Sequence, residues 1–289
     1  MIYCKELDKH FENKELMFSA LKAEKPAIVS KKKSVVKLAD TYQVATIEGV
    51  TDQVKNQLKS MISSKVFAIK SIDYTKELQL PSLVVKAVTN TTNWFDSHMD
   101  VHIDGIWNKT LADRKGAGIP HIQEHEYEFD KVINDAAETT VESTTFRALG
   151  FNYDGNTQAL RIKSVLDPNR NIFMYNQYAN GWVKNHSVGM QYVSIIFCAN
   201  SQMDNMKEEK AAWDLYYPVI ANKDDVDQYG YFWAVTEAKL KEHSAVVFGS
   251  NEITPTETVE IEADKSLLTE ADKSLQAKQS IFSNLKLVR

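Results

Sequence analysis

A histidine, a serine and a carboxylate follow one another along this chain, each at the edge of an apolar run. His125 lies in IPHIQEHEYEFDKV (Ile119 to Val132), Ser187 in VKNHSVGMQYVSIIF (Val183 to Phe197) and Glu242 in AKLKEHSAVVFGSNEITPT (Ala238 to Thr256). A serine hydroxyl is a weak nucleophile until a base accepts its proton and a third group orients that base. These residue types on strand-like segments suit that chemistry. Gly189, two residues after Ser187, allows close approach of backbone, as an oxyanion pocket needs. His186 would point to the opposite face of a strand from Ser187, so the base is expected from elsewhere. His125, flanked by Glu124 and Glu126 and anchored by GIPHI, is the better base; His121 is its rival. Glu242 opens the apolar run HSAVVF, and a carboxylate at the edge of a core strand needs a partner, for which an imidazole serves. His243 beside it leaves the third member open.

A second constellation is His98, Asp100 and His102, which alternate and would share one face of a strand, with His121 as a further nitrogen donor. Such a set could bind zinc and run a metal-dependent hydrolysis. The chain has neither HExxH nor CxxC, and the bland reading is hydrogen-bonded histidines.

The elements that would position these residues read as short strands mixed with helices. Residues 5–24 keep a helical apolar face (Leu7, Phe11, Leu16, Phe18, Leu21) and stop at Pro26. Residues 35–78 read as strand, helix, strand, making 1–78 an N-terminal extension. After Pro81, strands are expected at SLVVKAVTN, HMDVHIDG, GIPHIQEHE, TTFRALGFNYD, QALRIKSVL and SVGMQYVSIIFC. Helices are expected at IWNKTLADR, at NIFMYNQYANGWV opened by Pro168, and at DNMKEEKAAWDLYY. YGYFWAVTEAKLKEHSAVVFG is two strands or one bent strand. The tail 259–289 carries ADKSL twice and a loose leucine stripe, which reads as a solvated or docking helix. This mixture without strict alternation argues for an α+β fold with a mostly antiparallel sheet or barrel, its main domain spanning 79–258.

Composition narrows the classes. The chain has 289 residues and a formal net charge of -5, which argues against general nucleic-acid binding. The run Lys31-Lys32-Lys33 is expected to be a solvated loop. No apolar stretch approaches the roughly 18 to 20 residues of a membrane span. MIYCKELDKHFENKE has no apolar signal core, and Cys4 and Cys198 are too few for a disulfide framework, so a reducing, intracellular setting is expected.

Four segments together resemble the prohead (capsid-maturation) proteases of tailed bacteriophages, which are distantly similar to herpesvirus assemblins. They are Asp100-Val101 with Gly105, Trp107 and Lys109-Thr110-Leu111; His125-Glu126 after an apolar strand; Ser187-Val188-Gly189-Met190; and Leu240, Glu242, Ser244 and Val246 with Asn251 and Pro255 beyond. The resemblance covers roughly residues 80–258. The chain departs from the family pattern at Lys131-Val132-Ile133-Asn134, where an apolar-Gly pair is usual, and in an apparent insertion from Asp204 to Tyr229. The resemblance implies a mostly antiparallel strand barrel flanked by helices. It implies a serine endopeptidase with Ser187 as nucleophile, His125 as base and Glu242 as orienting carboxylate, without cofactor or metal. Its implied substrates are the major capsid protein, the scaffold protein and the protease itself, inside a procapsid in the host cytoplasm. A homodimer is compatible with it, and neither a nucleic acid nor a membrane partner is implied. The rival from another class is an inactive virion structural protein with a protease-like fold.

Overall fold

The computed structural model describes residues 1–34, 80–114 and 117–262. The strand, helix and strand read within 35–78, and the helical tail beyond 262, lie outside the described residues.

The backbone of the fold is one long hairpin. Strand β8 (Asn185–Ala199) pairs antiparallel with β9 (Tyr231–Val246) from Asn185↔Val246 to Ala199↔Tyr231. The segment from Tyr231 is therefore one strand, whose pairing with β8 shifts at Gly189/Met190 and around Ser194. The apparent insertion connects the two strands through helices α5 (Lys207–Tyr216) and α6 (Lys223–Tyr229). Gly230, at φ 75, ends α6 in the left-handed conformation that only glycine adopts cheaply.

Along its other edge β9 takes two short strands in tandem. The first is β4 (Asp100–His102), parallel, with Asp100 opposite Trp233; the second is β5 (Ile119–Gln123), also parallel, with His121 opposite His243. From β5 the sheet continues antiparallel through β6 (Val132–Thr145), β7 (Asn156–Leu166), β3 (Leu83–Thr91) and β10 (Thr256–Ile261). The fold is α+β with a mixed sheet.

The expected closed barrel is not formed among the described residues. The ladder runs from β10 to β4, with β8 branching off β9. Where β8 and β10 approach, the link is a single bridge, Asn185 to Pro255. The bridge is made by the residues on either side of the proline: the His186 N–H donates to the Thr254 carbonyl and the Thr256 N–H to the Lys184 carbonyl, both at 3.2 Å.

Several local expectations are corrected. Residues 5–24 are not one helix: β1 (Ile2–Cys4) and β2 (Lys9–Phe11) form a hairpin, and α1 (Lys14–Ala23) starts only after Asn13, whose side chain accepts the Leu16 N–H at 2.9 Å. Pro26 stops nothing, because it stands in the first turn of α2 (Lys25–Ser34), where its missing N–H costs no helical bond. Lys31 to Lys33 are in that helix, not in a loop, and Lys32 is buried with Nζ 2.5 Å from Asp100 Oδ1. The strand expected at TTFRALGFNYD lies earlier, and Phe146 to Gly150 form the turn after β6. The helix expected from Pro168 begins at Ile172 (α4, Ile172–Ala179), capped by Asn171. Helix α3 (Asn108–Asp113) is where expected.

Residues 1–34 join the main core. Met17, Phe18 and Leu21 of α1 and Ile28 of α2 cluster with Phe197 of β8 and with Tyr231 and Trp233 of β9. Each fully buried side chain of this size contributes about 1.5–3 kcal/mol. At the other end, the domain runs past 258, because β10 ladders with β3 as far as Ile261. A second cluster places Met174, Tyr175 and Tyr178 of α4 against β3, β6 and β7. Cys4 and Cys198 are both free and buried.

Candidate active site

The register of the central hairpin decides which residues can meet. Ser187 stands opposite Ser244 and Gly189 opposite Glu242. Opposed residues of an antiparallel pair share a face, as do residues two apart on one strand. Ser187, Gly189, Glu242 and Ser244 therefore line one face. His125 comes to that face from the turn after β5, where Glu124 and His125 both have positive φ (50 and 58). That conformation is costly for a side chain larger than Asn and persists only where surroundings enforce it.

Two contacts enforce it here. The His125 backbone N–H donates to Ser244 Oγ at 3.0 Å, and Glu124 Oε1 accepts the Val247 N–H at 2.9 Å. Neither carboxylate flanking His125 hydrogen-bonds its ring: Glu124 holds the Val247 backbone and Glu126 faces Lys131 at 3.6 Å. The partner is Glu242, whose Oε1 lies 2.6 Å from His125 Nδ1. Its other oxygen, Oε2, accepts from Ser244 Oγ at 2.7 Å. Glu242, Ser244 and His125 are all buried. Ser244 so ties the carboxylate to the backbone of the histidine that the carboxylate orients.

A carboxylate only accepts, so Nδ1 carries a proton, and in the neutral imidazole Nε2 then carries the lone pair. That Nε2 is buried and has no hydrogen-bond partner among the described residues. Such an orphan needs an explanation, and a proton-accepting role is one. Ser187 is half-buried on the same face. Its Oγ and His125 Nε2 are not hydrogen-bonded to each other. Catalytic hydrogen bonds are often long without substrate and tighten in the complex.

The uncertainty between Glu242 and His243 is a matter of strand alternation. His243 points to the opposite face, with Nδ1 2.9 Å from Thr89 Oγ1 and Nε2 2.9 Å from Thr139 Oγ1. His121, the rival base, also lies on that inner face. Its Nδ1 meets Ser164 Oγ at 3.0 Å and its Nε2 meets Tyr178 Oη at 3.1 Å, while Tyr178 Oη also meets His186 Nε2 at 2.9 Å. Burial pushes His186 down to about 4 and His243 down to about 3. It holds His121 well below the usual histidine range, with the other two histidines adding to the effect. These three are neutral members of a core network.

Gly189 has a role its sequence context did not suggest. A Cβ there would fall 2.2 Å from Glu242 Oε1 and 2.9 Å from Tyr127 Oη. The glycine leaves room for the carboxylate across the hairpin. Tyr127 is exposed along its ring, but its hydroxyl end reaches this spot. Desolvation, and then the negative charge of Glu242, push that hydroxyl up to about 12. Above Ser187 runs the loop after β9: a Cβ at Gly249 would lie 3.8 Å from Ser187 Cβ and 3.0 Å from the His186 carbonyl oxygen.

The metal-type constellation does not assemble. Asp100 accepts from Lys32 and from Tyr192 Oη (2.8 Å), and His102 lies between Asn90 Nδ2 (2.9 Å) and Tyr192 Oη (3.1 Å). His121 belongs to the separate network around Tyr178. Among the described residues no group of three or more His, Cys, Asp or Glu side chains could hold a metal ion. No described helix is long and apolar enough to cross a membrane.

Comparison of the chain with protein-family models, with curated proteins and with solved structures finds no match in any of the three.

Proposed function

We propose that this chain is a serine endopeptidase in which Ser187 is the nucleophile, His125 the general base and Glu242 the orienting carboxylate. One observation carries the reading: a buried His125–Glu242 pair holds Nδ1 at 2.6 Å and leaves Nε2 without a partner, on the strand face that also bears Ser187. Ser187 Oγ attacks the scissile carbonyl carbon and its proton passes to Nε2. Glu242 offsets the imidazolium charge that forms. Nε2 then returns the proton to the leaving amine, and water, deprotonated by the same nitrogen, releases the acyl group. The loop at Gly249 passes over Ser187, and its backbone N–H groups are the donors we assign to the oxyanion.

The likeness of four ordered motifs to prohead proteases extends the proposal to substrates and place: scaffold protein, major capsid protein and the chain itself, inside an assembling procapsid. The likeness to assemblins rests on those motifs alone, without a closed barrel. The test is incubation of the purified full-length chain with a second, tagged copy of itself, self-cleavage being part of the proposal. Wild type should cleave it, and Ser187→Ala should not. Cleavage by Ser187→Ala at the wild-type rate would remove the proposal. One feature favours the rival, an inactive structural protein: the absence of a Ser187–His125 hydrogen bond. Inert wild-type protein in the same assay would select it.

A further inference from the structure

An apolar recess opens beside the candidate site, at the end of the sheet where β5 and β9 finish and β8 begins. Its volume is about 420 Å³. Its apolar walls are Phe173, Trp182 and Val247, and its polar lining includes Gln123, Gln177 and Asn185. The three apolar side chains are 56%, 64% and 65% exposed, although large apolar side chains rarely face water in a cluster without a use.

The recess is built rather than accidental. Helix α4 ends at Ala179 with Asn180 as its C-cap, and Gly181 follows at φ 66. The Gly181 N–H donates to the Tyr178 carbonyl and the Trp182 N–H to the Gln177 carbonyl, both at 2.9 Å. This paired closure fixes the residue after the glycine, and so aims Trp182. Opposite, Asn185 Nδ2 donates to the Val247 carbonyl at 2.9 Å. That bond joins the start of β8 to the loop after β9. The side-chain amides of Gln123 and Gln177 make no hydrogen bond among the described residues and are half-buried.

The recess is lined by chain neighbours of the candidate catalytic residues. Asn185 is two residues before Ser187 on the same strand, so it shares the face of Ser187. Glu124, next to His125, also lines it. From this we infer that the recess is a substrate subsite that takes a large apolar side chain, Phe, Tyr, Trp, Leu or Met, of an extended peptide running past Ser187. The aromatic walls supply area for an apolar side chain at little entropy cost. The unpaired amides can meet the N–H and C=O groups of the peptide backbone. The charged residues of the lining are Lys184, which is exposed, and Glu124, whose carboxylate accepts the Val247 N–H, so a charged side chain would lose its hydration here without a buried counter-charge.

This inference rests on the proposed peptidase reading, and binding can be tested apart from catalysis. The probes are two N-acetylated, C-amidated hexapeptides, Ala-Ala-Xaa-Ala-Ala-Ala, with Xaa either Phe or Asp. They are titrated into the full-length Ser187→Ala protein while its tryptophan fluorescence is followed. The Phe peptide should bind at least about tenfold more tightly than the Asp peptide. Trp182→Ala, added to the same protein, should abolish the difference. Trp182 is 64% exposed, so its loss should leave the fold intact, which circular dichroism checks.

Equal binding of the two peptides, or a preference that survives Trp182→Ala, would overturn the subsite. Selective binding by a protein that no fluorophosphonate labels would keep the peptide groove and sink the hydrolase reading instead.

Discussion

Replacing Gly189 by alanine tests the geometry of the site with one methyl group. The added Cβ would lie 2.2 Å from Glu242 Oε1 and 2.9 Å from Glu242 Cδ. Ordinary contact begins near 3.4 Å, so the carboxylate must retreat by about 1.2 Å (3.4 minus 2.2) or the strands must part. The carboxylate is held by His125 Nδ1 at 2.6 Å and Ser244 Oγ at 2.7 Å, and a retreat of that size breaks at least one of these bonds. Overpacking costs about 1–3 kcal/mol. A buried polar group left unpaired costs about 1–3 kcal/mol more. The sum, about 2–6 kcal/mol, corresponds to a Tm lower by very roughly 5–20 °C for a domain of this size. Loss of the orienting carboxylate of a triad costs on the order of 10⁴ in rate. The assays are calorimetry and the rate of fluorophosphonate labelling at Ser187. Glu242→Asp, which draws the carboxylate back by one methylene, should restore part of the lost stability when combined with Gly189→Ala. A Gly189→Ala protein with wild-type Tm and wild-type labelling would show that the carboxylate is not where the account needs it.

Ser244→Ala removes the hydroxyl that joins Glu242 to the His125 backbone, and should slow labelling about ten- to hundredfold while the protein remains folded by circular dichroism. Lys32→Met strips the buried cation from Asp100 and should destabilise by about 3–5 kcal/mol in urea titration, whereas a solvated lysine would cost almost nothing. The buried histidines make stability fall in acid. His186 and His243 titrate near 4 and 3 when folded, and His121 is also well depressed. Unfolded histidines titrate at about 6.5, so below that pH the unfolded chain binds more protons. Stability should be flat above pH about 6.5 and decline towards 4, by up to about 1.4 kcal/mol per pH unit for each of the three. Urea midpoints measured across this window, with His186→Gln reducing the slope, check it; a midpoint independent of pH would refute the neutral core network.

Much of the sheet was legible because its strands carry nearly unbroken apolar runs, as in SVGMQYVSIIFC and YGYFWAVTEAKL. The histidine, serine and carboxylate could be named from their order and surroundings. Their roles relative to neighbours could not, because those depend on register. Glu242 and His243 are adjacent in sequence, and only alternation on a placed strand sends one to His125 and the other to Thr89. The role of Gly189 required its cross-strand partner, and a lone glycine suggests an oxyanion pocket as readily as room for a carboxylate. Ser244 was within reach: it is two residues after Glu242 in a strand, hence on the same face. Lys32 was misread because charge runs are solvated by default, and its partner Asp100 is 68 residues away. The N-terminal hairpin was hidden by apolar residues that also fit a helix, although Asn13 before Lys14 was a usable start signal. Barrel closure depends on a seam between strand edges, which apolar pattern alone does not encode.

The most direct test of the central claim is to react the folded protein with a biotinylated fluorophosphonate and map the adduct by mass spectrometry. The account predicts a single adduct, on Ser187, absent after His125→Ala and greatly slowed after Glu242→Gln, while Ser244 stays unmodified. An unlabelled wild-type protein, or an adduct that forms on Ser187 equally fast without His125, would contradict it.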